Sequence, residues 1–182
     1  MVLSSERNKR KYNSKGGDSN KISYQIVRAT KDDIDDVMRI NLLTLPENYP
    51  RYFFEYLLEN YPDSFLVAKV NGKVVGYIMC RVEDSIMISL PVRRIKRGHV
   101  VSIAVLPEYR GMGIGTNLLR EAIKALKENC HCVDVYLEVR ISNHKAIKLY
   151  RKLGFTVSHI KRGYYRDGED AYEMSLKLFN KE

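Results

Sequence analysis

The sequence predicts an α/β fold, a mixed and mostly antiparallel sheet of about seven strands with about four helices packed on it. Three observations predict it. Short β-branched runs alternate with longer segments whose apolar residues recur at helical spacing. Asn71-Gly72 lies between two apolar runs, the pattern of a two-residue hairpin turn. A glycine-rich turn, Arg110-Gly111-Met112-Gly113-Ile114-Gly115-Thr116, joins a β-branched strand to an amphipathic helix.

The elements follow in order. Residues 1–20 are rich in Lys, Asn, Ser and Gly and cannot bury enough apolar surface to offset ordering entropy, so they read as a disordered basic arm. Residues 21–182 read as one folded domain, with no linker and no internal repeat. Ser23–Arg28 is a strand. Thr30 and Asp33 resemble an N-cap with an acidic first turn, and Ile34, Val37, Met38, Leu42 and Leu45 follow at helical spacing, so a helix runs to about Thr44. Pro46 and Pro50 break it, and a short helix covers Tyr52–Glu59. Ser64–Val70 and Lys73–Arg81 flank the hairpin turn, a polar and basic loop follows, and His99–Val105 is a strongly β-branched strand. A helix over Gly113–Asn129, a strand over Val133–Arg140, a helix over Asn143–Leu153 and strands over Phe155–Ile160 and Ala171–Leu178 complete the chain.

Composition narrows the function. The net charge is +9, from 31 basic and 22 acidic residues, and it is unevenly placed. The first 21 residues hold Arg7, Lys9, Arg10, Lys11, Lys15 and Lys21 against Glu6 and Asp18, and a second cluster is Arg93, Arg94, Lys96 and Arg97. Such surfaces suit a polyphosphate ligand, nucleic acid or an acidic protein, and equally a solvated tail and loop. Cys130 and Cys132 are too close for an ordinary bridge, Cys80 is isolated, and no CxxC spacing exists, so no disulfide framework or zinc ribbon is expected. Reduced thiols in a cytoplasm are the simplest account. No apolar segment reads as a signal peptide or approaches the roughly 20 residues that span a bilayer, so no membrane partner is expected.

The glycines of the 110–116 turn let backbone N–H groups converge without β-carbon clashes, and the following helix adds its positive end, which together suit a diphosphate. The spacing is neither that of a P-loop nor of a dinucleotide fingerprint, and taken alone it is also that of a tight strand-to-helix turn. However, Arg110-x-x-Gly113-x-Gly115 after a β-branched strand resembles the coenzyme A signature of the GNAT acetyltransferases. A second block, Asn143-His144-Lys145-Ala146-Ile147-Lys148-Leu149-Tyr150 with Gly154-Phe155, is similar to another element of that family. The resemblance implies acetyl-CoA as co-substrate, with no metal required. It implies that Arg110, Gly111, Met112, Gly113, Ile114, Gly115 and Thr116 hold the pyrophosphate, that Ile103, Ala104 and Val105 pair with the pantetheine arm, and that Asn143, Ala146 and Tyr150 also meet the coenzyme. Read without the family, Asn143 is a helix cap and Tyr150 a core aromatic.

Two further segments, Leu45-Pro46-Glu47-Asn48-Tyr49-Pro50 and Gly163-Tyr164-Tyr165-Arg166-Asp167-Gly168-Glu169-Asp170-Ala171-Tyr172, resemble the NatA catalytic-subunit family of protein N-terminal acetyltransferases and its archaeal, RimI-like relatives. The resemblance covers about Ile26 to Leu178. It implies that Leu45, Pro46, Glu47, Tyr49, Tyr164 and Tyr165 form opposite walls of a groove for the first residues of a protein substrate. By themselves the segments also read as a helix stop with a proline turn and as a hairpin flank. A protein α-amine has a pKa of about 7.7–8.0, so a modest base suffices. Glu47, His99 and Glu138 are the candidates, His99 being also readable as a buried structural histidine, with Tyr150 as the group that meets the leaving thiolate. The alternatives are a GNAT enzyme acting on lysine side chains or polyamines, and a basic module that binds nucleic acid. Ribosome association through the basic arm is an expectation from charge.

Overall fold

The computed structural model describes residues 10–13, 22–87 and 91–179. Its strands are β1 (Arg10–Asn13), β2 (Ser23–Arg28), β3 (Phe65–Val70), β4 (Lys73–Met87), β5 (Arg93–Val105), β6 (Asp134–Arg140), β7 (Thr156–Lys161) and β8 (Ala171–Lys177). Its α-helices are α1 (Ile34–Thr44), α2 (Arg51–Asn60), α3 (Ile114–Glu128) and α4 (His144–Lys152). The strands are hydrogen-bonded in the order β1-β2-β3-β4-β5-β6-β8-β7. The described ladders are antiparallel except that of β5 with β6. This is the α/β arrangement the sequence predicts, with one strand more. No helix among the described residues is long and apolar enough to cross a membrane.

The chain divides into two compact units, Met1–Cys80 with Ser102–Ile123 and Arg81–Val101 with Lys124–Glu182. In the first, β1 to β4 are successive antiparallel strands, and the hairpin turn is as expected: Asn71 at φ 48° and Gly72 at φ 80° are both left-handed. That matches the primed turns whose twist suits a two-residue hairpin. The Thr30 N–H and hydroxyl both donate to Asp33 Oδ2 at 3.0 Å, closing the start of the helical segment, and Lys69 pairs with the same carboxylate at 2.6 Å. The buried face of α1 is Ile34, Val37, Ile40 and Asn41, whereas Leu42 is 69% exposed. The apolar period of the sequence placed Leu42 inside. A polar residue takes the inward position instead, for a reason given below.

In the second unit β6 lies between β5 and β8, and β7 pairs the outer side of β8. Val135, Leu137, Val139, Met174 and Phe155 are buried here. Gly98 sits against Leu126, where a β-carbon would come within 2.8 Å of the Leu126 Cδ1 atom.

Two expectations are corrected. Four residues of the supposed arm, Arg10–Asn13, form β1, because the Tyr12 ring stacks on Tyr24 with centroids 5.5 Å apart and its hydroxyl donates to Glu121 at 2.6 Å. The remainder of that arm, residues 1–9 and 14–20, lies outside the described residues. The expected polar loop between Arg81 and His99 is mostly strand, since β4 runs on to Met87 and β5 begins at Arg93. Two of its charges are paired: Arg97 Nε donates to both oxygens of Asp134 at 2.9 and 3.0 Å, and Arg81 pairs with Glu83 at 2.7 Å. Of the basic cluster, Arg93, Arg94 and Lys96 remain exposed, while Arg97 is committed to Asp134 and lies 4.6 Å over the Tyr136 ring.

A β-carbon at Gly76 would stand 2.9 Å from the Ala104 carbonyl oxygen and 3.1 Å from the Val105 side chain. Because the nearest atom is backbone, it cannot swing away. Gly76→Ala is therefore expected to cost about 1–3 kcal/mol, read as a lower urea midpoint. An unchanged midpoint would show that β4 and β5 can separate there at no cost.

Candidate active site

The glycine turn begins where β5 ends. The Leu106 N–H donates to the Val75 carbonyl at 2.9 Å, and a single turn over Pro107–Tyr109 delivers Arg110. Gly111 at φ 80° and Gly113 at φ 84° are left-handed, a conformation that favours glycine, and α3 starts at Ile114. Asn117 N–H donates to the Gly113 carbonyl at 3.0 Å as the first helical bond. The N–H groups of Ile114, Gly115 and Thr116 thus precede any intrahelical acceptor, at the positive end of a helix of 15 residues. An ideal β-carbon at Gly111 would meet nothing within 4 Å, so the turn's outer side is open to an approaching phosphate. Left-handed glycines followed by unbonded first-turn N–H groups are the kind of geometry that receives an anion. Arg110 is used differently: its Nε donates to the Val105 carbonyl at 2.9 Å and closes the turn. Gly115 is within the helix.

Along β5 the residues alternate. Gly98, Val100, Ser102 and Ala104 are buried, whereas His99, Val101, Ile103 and Val105 are partly exposed on the other face. Among the described residues, the β5–β6 ladder pairs Arg97–His99 with Asp134–Tyr136, and β5 continues to Val105.

The Leu45–Pro50 segment is held from beneath by Asn41. Its side-chain amide donates to the Glu47 carbonyl at 3.1 Å and to the Tyr77 hydroxyl at 3.0 Å, and Tyr77 Oη lies 2.8 Å from Ser102 Oγ. Burial pushes the Tyr77 phenol up to about 12, so it stays neutral. Asn41 therefore occupies an inward position because a backbone carbonyl must be satisfied there. Tyr49 stacks on Phe53 at 4.9 Å and meets Phe54 edge-on at 6.1 Å, while Leu45 and Glu47 are partly exposed and Pro46 exposed.

His99 and Glu138, two of the candidate bases, meet, with Nε2 2.7 Å from Oε2. Lys161 Nζ donates to the other oxygen of Glu138 at 2.5 Å and also pairs with Glu173 at 3.0 Å. Burial raises the Glu138 pKa, but hydrogen bonds and charge from His99 and Lys161 outweigh it and bring the carboxyl to about 2. An ionised carboxylate accepts only, so the His99 Nε2 carries the hydrogen. The opposite nitrogen, Nδ1, is buried with no hydrogen-bond partner and stands 3.8 Å from Glu83 Oε1. The ring is clamped flat on Tyr136, with centroids 4.5 Å apart and planes at 5°, and Tyr136 Oη donates to Glu83 Oε2 at 2.5 Å. Sequence reasoning missed Lys161, Glu83 and Tyr136, since only the strand register brings them to this histidine.

On α4, the Asn143 side-chain oxygen accepts from the Ala146 N–H at 3.2 Å, so the asparagine is a helix cap. Tyr150 is buried, its ring 6.0 Å from Phe155, and burial pushes its phenol up to about 12. Tyr164 and Tyr165 pack edge to face at 5.1 Å. The acids that follow them tie down the β7–β8 loop. Arg140 Nη1 donates to Asp167 at 2.7 Å and Glu169 at 2.8 Å while its Cζ lies 3.9 Å over the Tyr165 ring. Glu169 also accepts from Ser142 N–H at 3.0 Å, and Asp170 from Gly163 N–H at 2.8 Å. Arg140, too, was missed: its only signal was its place at the end of a strand. Among the described residues, no group of three or more His, Cys, Asp or Glu is arranged to hold a metal ion.

The chain matches the Acetyltransferase (GNAT) family over residues 34–155 and belongs to it. Within that family it is 54% identical over 157 residues to an N-alpha-acetyltransferase of Sulfurisphaera tokodaii, covering 85% of this chain and 93% of the relative. It is 36% identical to the N-terminal acetyltransferase A complex catalytic subunit NAA10 of Arabidopsis thaliana, covering 86% and 79% of the two chains. Among solved structures it resembles Ard1 from Thermoplasma volcanium, with a TM-score of 0.72 at 30% identity over 86% of this chain and 99% of that one. It also resembles Arabidopsis thaliana Naa50 in complex with the bisubstrate analogue CoA-Ac-MVNAL, with a TM-score of 0.73 at 25% identity over 85% and 99%.

The depressed carboxyl of Glu138 has a consequence for acid stability. Folded Glu138 releases its proton more readily than an unfolded glutamate at 4.5, so its contribution is present above pH 4.5 and is lost as pH falls toward about 2. Urea midpoints across that window should fall more steeply for the wild type than for Glu138→Gln. Parallel curves would mean that His99 and Lys161 do not stabilise the ionised form.

Proposed function

We propose that this chain is a protein N-terminal acetyltransferase, moving the acetyl group of acetyl-CoA onto the α-amine of a protein by direct attack in a ternary complex. The observation that carries the reading is the 54% identity, over 157 residues, to a protein named N-alpha-acetyltransferase. The glycine turn supports the donor, because its open left-handed glycines and unbonded first-turn N–H groups suit a diphosphate. The tyrosines of the 164–165 pair support a peptide acceptor, offering stiff apolar area with a hydroxyl on each ring.

In the reaction the neutral amine attacks the thioester carbonyl carbon, the carbon–sulfur bond breaks, and the amine loses one proton. Backbone N–H groups of Ile103–Val105 steady the oxyanion. His99 takes the amine proton at Nδ1, Glu138 holds the opposite nitrogen as the donor, and Glu47 positions the amine or relays the proton through water. Glu138 itself is too acidic to act as base near neutral pH. Tyr150, kept protonated by burial, donates to the departing thiolate. Leu45, Pro46, Glu47, Tyr49, Tyr164 and Tyr165 receive the first residues of the substrate. Cys130 and Cys132, spaced too closely for an ordinary bridge, suit a reducing compartment such as the cytoplasm. The excess of basic residues in the N-terminal arm supports ribosome association by charge, tested by whether deleting residues 1–20 changes co-sedimentation.

Mass spectrometry of peptides with free and blocked α-amines should find acetyl groups at free α-amines; acetylation confined to lysines would overturn the reading. Glu47→Gln combined with His99→Phe should lower turnover at least about tenfold while coenzyme binding survives, and full activity in that variant would remove both as bases. Tyr150→Phe should reduce kcat with little change in acetyl-CoA affinity; unchanged kcat would remove its role as acid.

A further inference from the structure

We infer that the N-terminal strand β1 is a positioning device for the coenzyme turn, acting through Tyr12, Tyr24 and the first turns of α3. The strand lies outside the family match, which begins at residue 34.

β1 pairs antiparallel with β2 and sets Tyr12 directly opposite Tyr24. The two rings stack at 18°, and Tyr24 is 1% exposed. Two side chains of β1 reach one carboxylate on α3: Tyr12 Oη donates to Glu121 Oε1 at 2.6 Å, and Arg10 Nη1 does so at 3.0 Å. Four residues nearer the start of α3, the Asn117 side-chain amide donates to Tyr24 Oη at 2.7 Å. Four residues nearer still is Gly113, whose carbonyl accepts from the Asn117 N–H and whose β-carbon position lies 3.8 Å from Tyr24 Oη.

Glu121, Asn117 and Gly113 thus form one line along α3 at the spacing of successive turns. β1 grips the far end of that line through Glu121, and through Tyr24 it underlies the near end, where the turn's N–H groups are presented. Without β1, Tyr24 would lose its stacking partner and the largely buried Glu121 carboxylate would lose two donors. The near end of α3 would then sample more orientations, and a cradle made of backbone N–H groups binds only when those groups are aimed together. The strand therefore acts on affinity for the donor and not on the chemical step.

The test is calorimetric titration of the full chain with coenzyme A, with steady-state kinetics alongside. Tyr12→Ala should raise the dissociation constant of coenzyme A and the KM for acetyl-CoA about fivefold. The KM for peptide and the kcat at saturating acetyl-CoA should stay at the wild-type value. Tyr12→Phe, which keeps the ring and loses the hydroxyl, should fall between, and Lys11→Ala, an exposed neighbour on the same strand, should match the wild type. If Tyr12→Ala melts within the assay range, Tyr12→Phe and Glu121→Gln carry the same comparison. Equal coenzyme affinity in folded variants and wild type would overturn the positioning role, as would equal loss in both KM values. Absence of coenzyme binding by the wild type would instead sink the assignment of the turn.

Discussion

The two-residue period of β5 is the constraint on which the remaining features depend. Its even-numbered residues from Gly98 to Ala104 are buried and small enough for close packing, with Ser102 reaching Tyr77 and the Ala104 carbonyl lying under Gly76. Its odd-numbered residues place His99, Ile103 and Val105 on the other face. A shift of one residue would bury the histidine and expose the serine. The same shift would remove the Arg97–Asp134 pair and the ring stack of His99 on Tyr136, both set by the ladder with β6. The placement of His99 and the strand that leads to the glycine turn are thus fixed by one register.

Several buried polar groups among the described residues are held by specific partners. Asn41, Tyr77 and Ser102 form a chain that ends on the Glu47 carbonyl, and Glu138 is held by His99 and Lys161. These are costly groups to bury, and they are tolerated because each has a charged or dipolar partner. Their common effect is rigidity around residues that must keep one geometry, which loops alone would not supply.

The elements with a local cause were legible in the sequence. The Asn71-Gly72 turn, the cap at Thr30 and the glycine turn are decided by neighbouring residues, and each was found in place. Features decided by distant residues were not. Leu42 fits a helical period, yet Asn41 faces inward because Glu47 and Tyr77 need its amide. The run after Arg81 looks like a charged loop until Asp134 and Tyr136 are brought alongside by β6. β1 has too little apolar surface to announce itself, and it forms because one tyrosine finds a second tyrosine and a carboxylate across the fold. Of the candidate site, the motif residues could be nominated from the sequence, while Lys161 and Glu83 beside His99 and Glu138, and Arg140 beside Tyr165, were visible only in the register.

The sheet ends on β1 on one side and β7 on the other. An unprotected edge strand is a template for pairing with a second molecule. β1 is only four residues long and carries Arg10 and Lys11, both exposed, on a chain with net charge +9. β7 carries the exposed His159 and has Lys161 at its end, flanking the exposed apolar side chains of Val157 and Ile160. The β1 margin therefore opposes strand-to-strand association by like charge, and this short strand, by covering β2, also keeps a longer, more apolar edge from meeting its own copy.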